Sequence, residues 1–491
     1  MVVEDEVVPA VPGQGSDGEQ VHERDWAMMM TQLPDAVELQ ERLDKALREY
    51  DVPGAVLGVL SGDDVVVSAA GIARLPDGPP VRSDTLFLIA SITKVWTATM
   101  VLQLVDEGAV DLDAPVNRYL EPPLRLPDQT VADTVTVRHM LCHTGGFYGD
   151  KDEPEDRSDD AVRTAVESFA TLPQLHRPGT LFSYSNAGFD VLGRIVECLD
   201  HKTWDQALKD RLLEPLGLAH TFTLPEEAAV HPLAVGHEPK GPDTLDLEPV
   251  KTWLSARGSG PCGGTLATTA SDLLEFTRMH MRDGVASDGR RVLSERSARL
   301  MRESQIDVPD PSDSPAWGLG WALVRQADPL VIEHGGNTHG QLGQLVAIPE
   351  HDLAICVLTN GDTQGLLRKH LVGGLVRELL GVELPRTPSP GTDEDEPDLE
   401  LVTGRYRRSE EIELEVRRAG DGLTLSVDTS GEVAERVKSF TQPLVHAQGW
   451  TYLVTLPQMT EPLTVTFVRE AEDDPRATHL SFGLRLSPCI S

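Results

Sequence analysis

Apolar and polar positions change rhythm several times along this chain, and each change predicts a different element. Over residues 35–50, Val37, Leu39, Leu43 and Leu47 recur near the helical period, so a helix is predicted with those side chains near one face. Two short apolar runs follow, residues 55–60 and 65–70, parted by Ser61-Gly62-Asp63-Asp64. Their length and the turn residues between them predict paired strands. The apolar run 86–90 leads into a helix-like stretch over 95–104, and helical patterning continues to about residue 218. Strand patterns return at 320–325, 342–348 and 353–358, and a final helix is predicted over 364–380. Strands at both ends with helices between predict an α+β fold. An antiparallel sheet is flanked by helices, with a helical lobe beside it and a cleft between lobe and sheet.

The pattern breaks at residues 387–397, Thr-Pro-Ser-Pro-Gly-Thr-Asp-Glu-Asp-Glu-Pro, which are proline-rich, acidic and aperiodic and read as a linker. Beyond it, Ile412-Glu413-Leu414-Glu415-Val416, Leu423-Thr424-Leu425-Ser426-Val427 and 463–468 alternate apolar with polar, with glycine turns such as Gly420-Asp421-Gly422. That rhythm predicts an antiparallel β meander or small barrel of about eight strands over 398–491. Residues 1–32 are acidic and glycine-containing without amphipathic rhythm, and are expected to be a disordered tail. The expected division is therefore tail 1–32, main α+β unit 33–386, linker 387–397 and β unit 398–491.

Composition narrows the function classes. A chain of 491 residues exceeds one small core, which agrees with two folded units. A formal net charge of −36 argues against nucleic-acid and anionic-membrane partners, since both call for a basic face. No run of about twenty apolar residues occurs, so no spanning helix is predicted. The first residues show no basic segment followed by an apolar one, so no secretory signal is expected and a cytoplasmic location is. Five scattered cysteines, an odd number, suit reduced thiols better than a disulfide framework.

Candidate chemistry begins at Ser91-Ile92-Thr93-Lys94, at the start of a helix. A serine and a lysine three residues on share one helical face, and an amine held one turn away can take the hydroxyl proton. Unpaired first-turn N–H groups can face a developing anion. Tyr184-Ser185-Asn186 precedes an amphipathic helical stretch over 189–198. The phenol of Tyr184 can share the proton, and the amide of Asn186 can orient a substrate carbonyl. His334-Gly335-Gly336-Asn337 follows an apolar run and precedes a strand pattern. Glycines such as Gly336 let a ligand backbone approach closely, and the N–H of Asn337 is a candidate second oxyanion donor beside that of Ser91.

These three motifs, in this order and with these gaps, resemble the class C-like branch of the serine β-lactamase and penicillin-binding-protein superfamily, which carries S-x-x-K, Y-x-N and H-x-G or K-T-G. Further stretches are similar to the same family: residues 137–147 with Cys142-His143-Thr144-Gly145-Gly146, Gly260-Pro261-Cys262-Gly263-Gly264-Thr265, residues 269–273, and Trp317-Gly318-Leu319-Gly320-Trp321. The resemblance covers about residues 35–385 and implies a β-lactamase-like fold; that of 398–491 is to lipocalin-like C-terminal domains. It implies Ser91 as nucleophile, Lys94 and Tyr184 as proton carriers, His334 supporting the phenol or leaving group, and Asn186, Asn337 and Gly336 contacting substrate. No cofactor or metal is implied.

The third motif departs from Lys-Thr-Gly, and a histidine there is cationic only part of the time near neutral pH. Within the family that change points to esterases, amidases, D-amino-acid peptidases and transacylases. The leading expectation is a serine acyl hydrolase acting on an ester, amide or D-amino-acid-containing peptide. A second is a penicillin-binding-protein-type thioesterase that transfers a peptidyl group from a carrier protein to an amine. A third is a non-catalytic penicillin-binding sensor. His139 and His143, spaced i,i+4, lack a third ligand and are expected to cap and pack; His339-Gly340 is a second His-Gly pair, less well placed than His334.

Overall fold

In the computed structural model, the described residues are 33–491 except 151–153, 242–243, 253–254, 312–314, 325–327, 393–394, 458 and 472. The expected tail 1–32, Arg325 of the expected strand and Asp393-Glu394 of the expected linker lie outside them. Helix α1 (Ala36–Glu49) starts where the side chain of Asp35 accepts the N–H groups of Val37 and Glu38. It runs into the hairpin β1 (Gly54–Ser61) and β2 (Asp64–Gly71), near the boundaries that the apolar runs predict. Four further pieces complete the helical framework used below: α2 (Thr93–Asp106), α3 (Asn186–Asp200), α4 (Ala270–Met281) and α5 (Leu366–Leu380).

The central sheet gains β3 (Ile306–Asp307), β4 (Ala316–Trp317), β5 (Ala322–Val324), β6 (Val331–Thr338), β7 (Gln341–Ile348) and β8 (Leu353–Thr359). Its order is β2-β1-β8-β7-β6-β5-β4-β3, and every pairing is antiparallel. Side chains alternate across it. Leu57, Val59, Ile355 and Val357 pack with Leu39 and Leu43 of α1 and Leu371 and Leu375 of α5. Val56, Leu60, Cys356 and Leu358 pack on the other face with Val95 of α2 and Leu273 of α4. A sheet covered on both faces explains why its strands read as near-continuous apolar runs.

Two expectations are corrected. Val37 does not join the buried stripe of α1: it is 67% exposed, and Ala46 takes the inward place with Leu39, Leu43 and Leu47. Those four follow i, i+4, i+7, i+8, and Val37 falls off that face. The helical pattern to residue 218 is broken into short helices with loops between, of which α3 is the longest in that region. Composition alone does not mark those breaks. The strands β3 and β4 are two residues each, too short to carry an alternating signature.

Residues 404–488 form an eight-stranded antiparallel meander, β9 (Gly404–Arg407), β10 (Ile412–Ala419), β11 (Gly422–Thr429), β12 (Phe440–Gln448), β13 (Thr451–Val454), β14 (Leu463–Val468), β15 (His479–Phe482) and β16 (Arg485–Pro488). The first strand returns to the last through the Tyr406–Cys489 bridge and hydrogen bonds between Arg405 and Ile490–Ser491, so the barrel nearly closes. Closure removes free edges. Its core gathers Tyr406, Leu414, Leu425, Tyr452, Val465 and Leu480. The connecting segment lies against the barrel, with Gly391 N–H donating to the carbonyl of His446 and Asp395 accepting from Gly449 N–H.

Candidate active site

Ser91 sits in a 3-10 turn, Ala90–Ile92, that feeds α2. Ala90 adopts φ 48°, the left-handed region, which costs an L-residue about 1–2 kcal/mol. Two glycines press on that turn. A Cβ on Gly336 would lie 2.2 Å from the carbonyl oxygen of Ile89, and one on Gly263 would lie 2.4 Å from that of Ala90 and 2.8 Å from Ser91 N. The space left by Gly336 is therefore filled by the serine turn, not by a ligand as its place in the motif suggested. Gly335 is the open one, with nothing closer than 3.9 Å to its would-be Cβ.

Lys94, one turn into the helical segment, has no exposed surface. Its Nζ donates to Ser91 Oγ at 3.1 Å and to the carbonyl of Cys262. Thr97 Oγ1 bonds the carbonyl of Pro261 at 2.8 Å, which ties the Gly-rich turn to the same helix. Lys94 Nζ also lies 5.0 Å from the ring centroid of Tyr184 and 5.7 Å from that of Phe189. The hydroxyl and amine thus meet directly, and the phenol approaches the amine through its ring.

Tyr184 is 6% exposed. Ser185 caps α3 by accepting Gly188 N–H at 3.1 Å, so Asn186 is the first residue of the helix rather than part of a loop before residue 189. The Tyr184 ring stacks on His143, centroids 4.2 Å apart. His143 Nδ1 accepts Ser185 N–H at 3.0 Å, which assigns its proton to Nε2. Burial, then the charges of Lys94 and Arg485 among others, hold His143 well below the ordinary histidine pKa. His139 instead closes a capping box with Thr136. Among the described residues no group of three side chains is placed to hold a metal ion.

His334 lies on β6, 3% exposed, with its ring centroid 6.5 Å from that of Tyr184. Burial and the nearby Lys94 charge push its pKa down to about 3. It is a neutral imidazole near neutral pH, which corrects the expectation of partial charge. Its Nδ1–H donates to the Gly335 carbonyl at 2.7 Å, leaving Nε2 as a buried acceptor without a hydrogen-bond partner among the described residues. Pairing of β6 with β5 stops at Glu333, so from His334 onward that edge of β6, Asn337 included, is not covered by β5. His339 stands apart, bonded to Ser255 at 2.8 Å.

Residues 39–372 match the Beta-lactamase family. The chain belongs to that family. It is 39% identical over 372 residues to penicillin-binding protein 4 of Amycolatopsis lactamdurans, covering 75% of this chain and 97% of the relative. It is 30% identical over 379 residues to esterase EstB of Burkholderia gladioli, covering 68% and 93%. Among solved structures, that of SurE superposes with TM-score 0.73 at 26% identity over 93% of this chain and 99% of the other; a second SurE structure contains D-Leu. These relatives agree with the resemblance that the three motifs carry, and the chain is a serine hydrolase of the β-lactamase superfamily.

In this β-lactamase-family chain part of the packing around Tyr184 comes from outside the matched residues. The two-residue turn Gly483-Leu484 between β15 and β16 docks on the Tyr184 segment: Tyr184 N–H donates to the Leu484 carbonyl at 2.9 Å, and Leu486 N–H donates to Ser183 Oγ at 3.2 Å. Leu484 packs against a cluster that includes Phe182, Tyr184 and Trp317. Arg485 lies 4.8 Å from the Tyr184 ring centroid and pairs with Asp150 at 2.6 Å. Asp150 in turn accepts Asn186 Nδ2–H at 2.7 Å. Asp150, Arg485, Leu484 and His143 escaped the sequence reading as site residues. Only His143 left a local trace, inside the motif-like stretch 137–147.

Proposed function

We propose that this enzyme is an acyl hydrolase that works through an acyl-Ser91 intermediate on an ester, an amide or a D-amino-acid-containing peptide. The observation that carries the reading is the 3.1 Å contact between Ser91 Oγ and Lys94 Nζ in a site where the lysine is wholly buried. Ser91 Oγ adds to the substrate carbonyl as its proton passes to the uncharged amine of Lys94 or to the Tyr184 oxygen and from there to the leaving group, and water then cleaves the acyl-Ser91 ester by the reverse proton path. The N–H groups of Ser91 and Asn337 hold the oxyanion, and each such donor is worth on the order of 10²–10³ in rate. His334 Nε2, neutral and without a hydrogen-bond partner among the described residues, accepts a hydrogen bond from the Tyr184 hydroxyl or the leaving group. Asn186 orients the acyl side, and Gly336 keeps the serine turn seated. The D-Leu in the SurE structure supports a substrate of D configuration.

The test is turnover of a p-nitrophenyl ester together with intact-protein mass spectrometry. A transient acyl mass on Ser91, absent from Ser91→Ala, is expected. Turnover that survives Ser91→Ala would sink the reading. An adduct that forms with penicillin or a fluorophosphonate and persists, with no ester turnover, would favour a sensor instead.

The small exposure of Lys94, Tyr184 and His334 favours a second reading, acyl transfer to an amine in place of water. The donor would be a peptidyl thioester, borne by a carrier protein. Mass spectrometry after incubation with a linear peptidyl thioester separates the two: free acid marks the hydrolase, cyclic product the transferase.

A further inference from the structure

We propose that Asp150 and Arg485 form a clamp across the two units that positions Asn186 for reading an amide on the acyl side of the substrate. The proposal rests on the acyl-hydrolase reading above and adds two positioning residues to it.

The amide of Asn186 has one N–H committed to Asp150 Oδ1 at 2.7 Å. Rotating the amide by half a turn would set its oxygen against a carboxylate, so the pairing also fixes which end of the amide is which. The second N–H and the carbonyl oxygen are then held in one orientation. Asn186 is the first residue of α3, so its backbone is already fixed by the Ser185 cap and by Ala187 N–H donating to the Gly149 carbonyl at 3.0 Å. A Cβ on Gly149 would lie 2.3 Å from Ser185 Cα, so the loop that carries Asp150 is pressed against the Tyr184–Asn186 segment.

Asp150 is held in turn by a fork. Arg485 Nε donates to Oδ2 at 2.6 Å and Nη2 to Oδ1 at 3.0 Å. Desolvation opposes ionisation of Asp150, but the charge and hydrogen bonds of Arg485 outweigh it and keep the group a carboxylate. A quarter of the Arg485 side chain remains exposed.

The barrel is built to deliver this arginine. Gly483 and Leu484 both adopt positive φ, 61° and 65°, as a tight two-residue hairpin turn requires. Glycine meets that demand freely; a leucine does not, and such strain persists where surrounding contacts over-determine it. Those contacts are the Leu484 carbonyl on Tyr184 N–H and the leucine side chain against Phe182, Tyr184 and Trp317. Behind the turn, Arg408 Nη2 donates to the carbonyls of Phe482 at 2.8 Å and Arg485 at 3.2 Å, and its Nε to Ser487 Oγ at 3.3 Å. The strained turn is fastened on both sides, and its product is a guanidinium fixed over Tyr184 and on Asp150.

A clamp on Asn186 matters for substrates that offer an acyl-side amide and matters less for an acetyl group, which has none. The experiment compares p-nitrophenyl acetate with an N-acetyl-D-aminoacyl p-nitrophenyl ester, which share a leaving group. The full-length parent, Asp150→Ala, Arg485→Gln and the double variant are measured on both. The ratio of kcat/KM values, acylamino ester over acetate, is expected to fall on the order of 10²-fold in each single variant, since a misplaced positioning group costs about that much. The double variant should fall no further than the worse single one, because the pair acts as a unit. Arg485→Lys keeps charge but loses the fork and should lie between parent and Arg485→Gln, which guards against a variant that merely fails to fold. A ratio unchanged in variants that melt like the parent, or a double variant equal to the product of the singles, overturns the clamp and leaves the hydrolase standing. A parent inactive on both esters overturns the hydrolase reading and the clamp with it.

Discussion

At the scale of single residues, adjacent glycines in one motif have opposite duties. Gly336 lies against Ile89, so Gly336→Ala should push the serine turn out of place and reduce ester turnover on the order of 10²-fold or more. Gly335→Ala meets open space and should cost far less. Parallel turnover and melting measurements on the two variants check this, and equal losses would refute it. Both glycines were visible in the motif, but only contacts reveal which one the fold needs. His334 makes the same point. Its position was legible, whereas its neutrality comes from burial and from the Lys94 charge beside it. Its ring resonances are expected to show no titration between pH 5 and 8 by NMR.

At the scale of elements, the strands and helices that pack on the sheet faces are present where the apolar rhythm predicts them, since burial against those faces is what the rhythm encodes, while the helical pattern to residue 218 is broken up. Helix α1, the β1–β2 hairpin, β7, β8 and α5 begin and end within a few residues of their expected limits. How the barrel docks was not legible, because docking uses isolated polar contacts with no period. One is His479 on β15, whose Nε2–H donates to the Leu175 carbonyl at 3.0 Å in a buried setting. His479→Ala leaves that carbonyl unpaired and should destabilise the docked state by about 1–3 kcal/mol. Limited proteolysis near residues 387–397 should quicken accordingly; an unchanged rate and melting point would show the contact to be idle.

At the scale of the whole molecule, several histidines are buried in neutral form. Burial lowers His280 to about 3 and His176 to about 4, alongside His334 at about 3. A folded-state pKa below the unfolded value near 6.5 means that the unfolded chain binds protons first as pH falls. No stability is lost above that value. Below it, each such group costs about 2 kcal/mol by pH 5, growing until pH reaches the folded pKa. The melting temperature should therefore drop between pH 7.5 and 5, before most carboxylates titrate. His280→Gln should flatten part of that drop, and a melting temperature that is level over this range would contradict the account.

Whatever depends on neighbours along the chain could be read from the residues alone. Ser91 and Lys94 share a face because three residues make nearly one helical turn, and the apolar rhythms mark which segments become strand or helix. Ordered motifs added Tyr184, Asn186 and His334. What depends on distant segments meeting arose with the folded chain. Asp150 and Arg485, 335 residues apart, form a pair that no local pattern announces, and the neutral state of His334 exists only once water is excluded around it. Periodicity records which face of an element is buried; it holds no record of which partner arrives there, because that is settled by three-dimensional packing and by charges brought together when the chain closes.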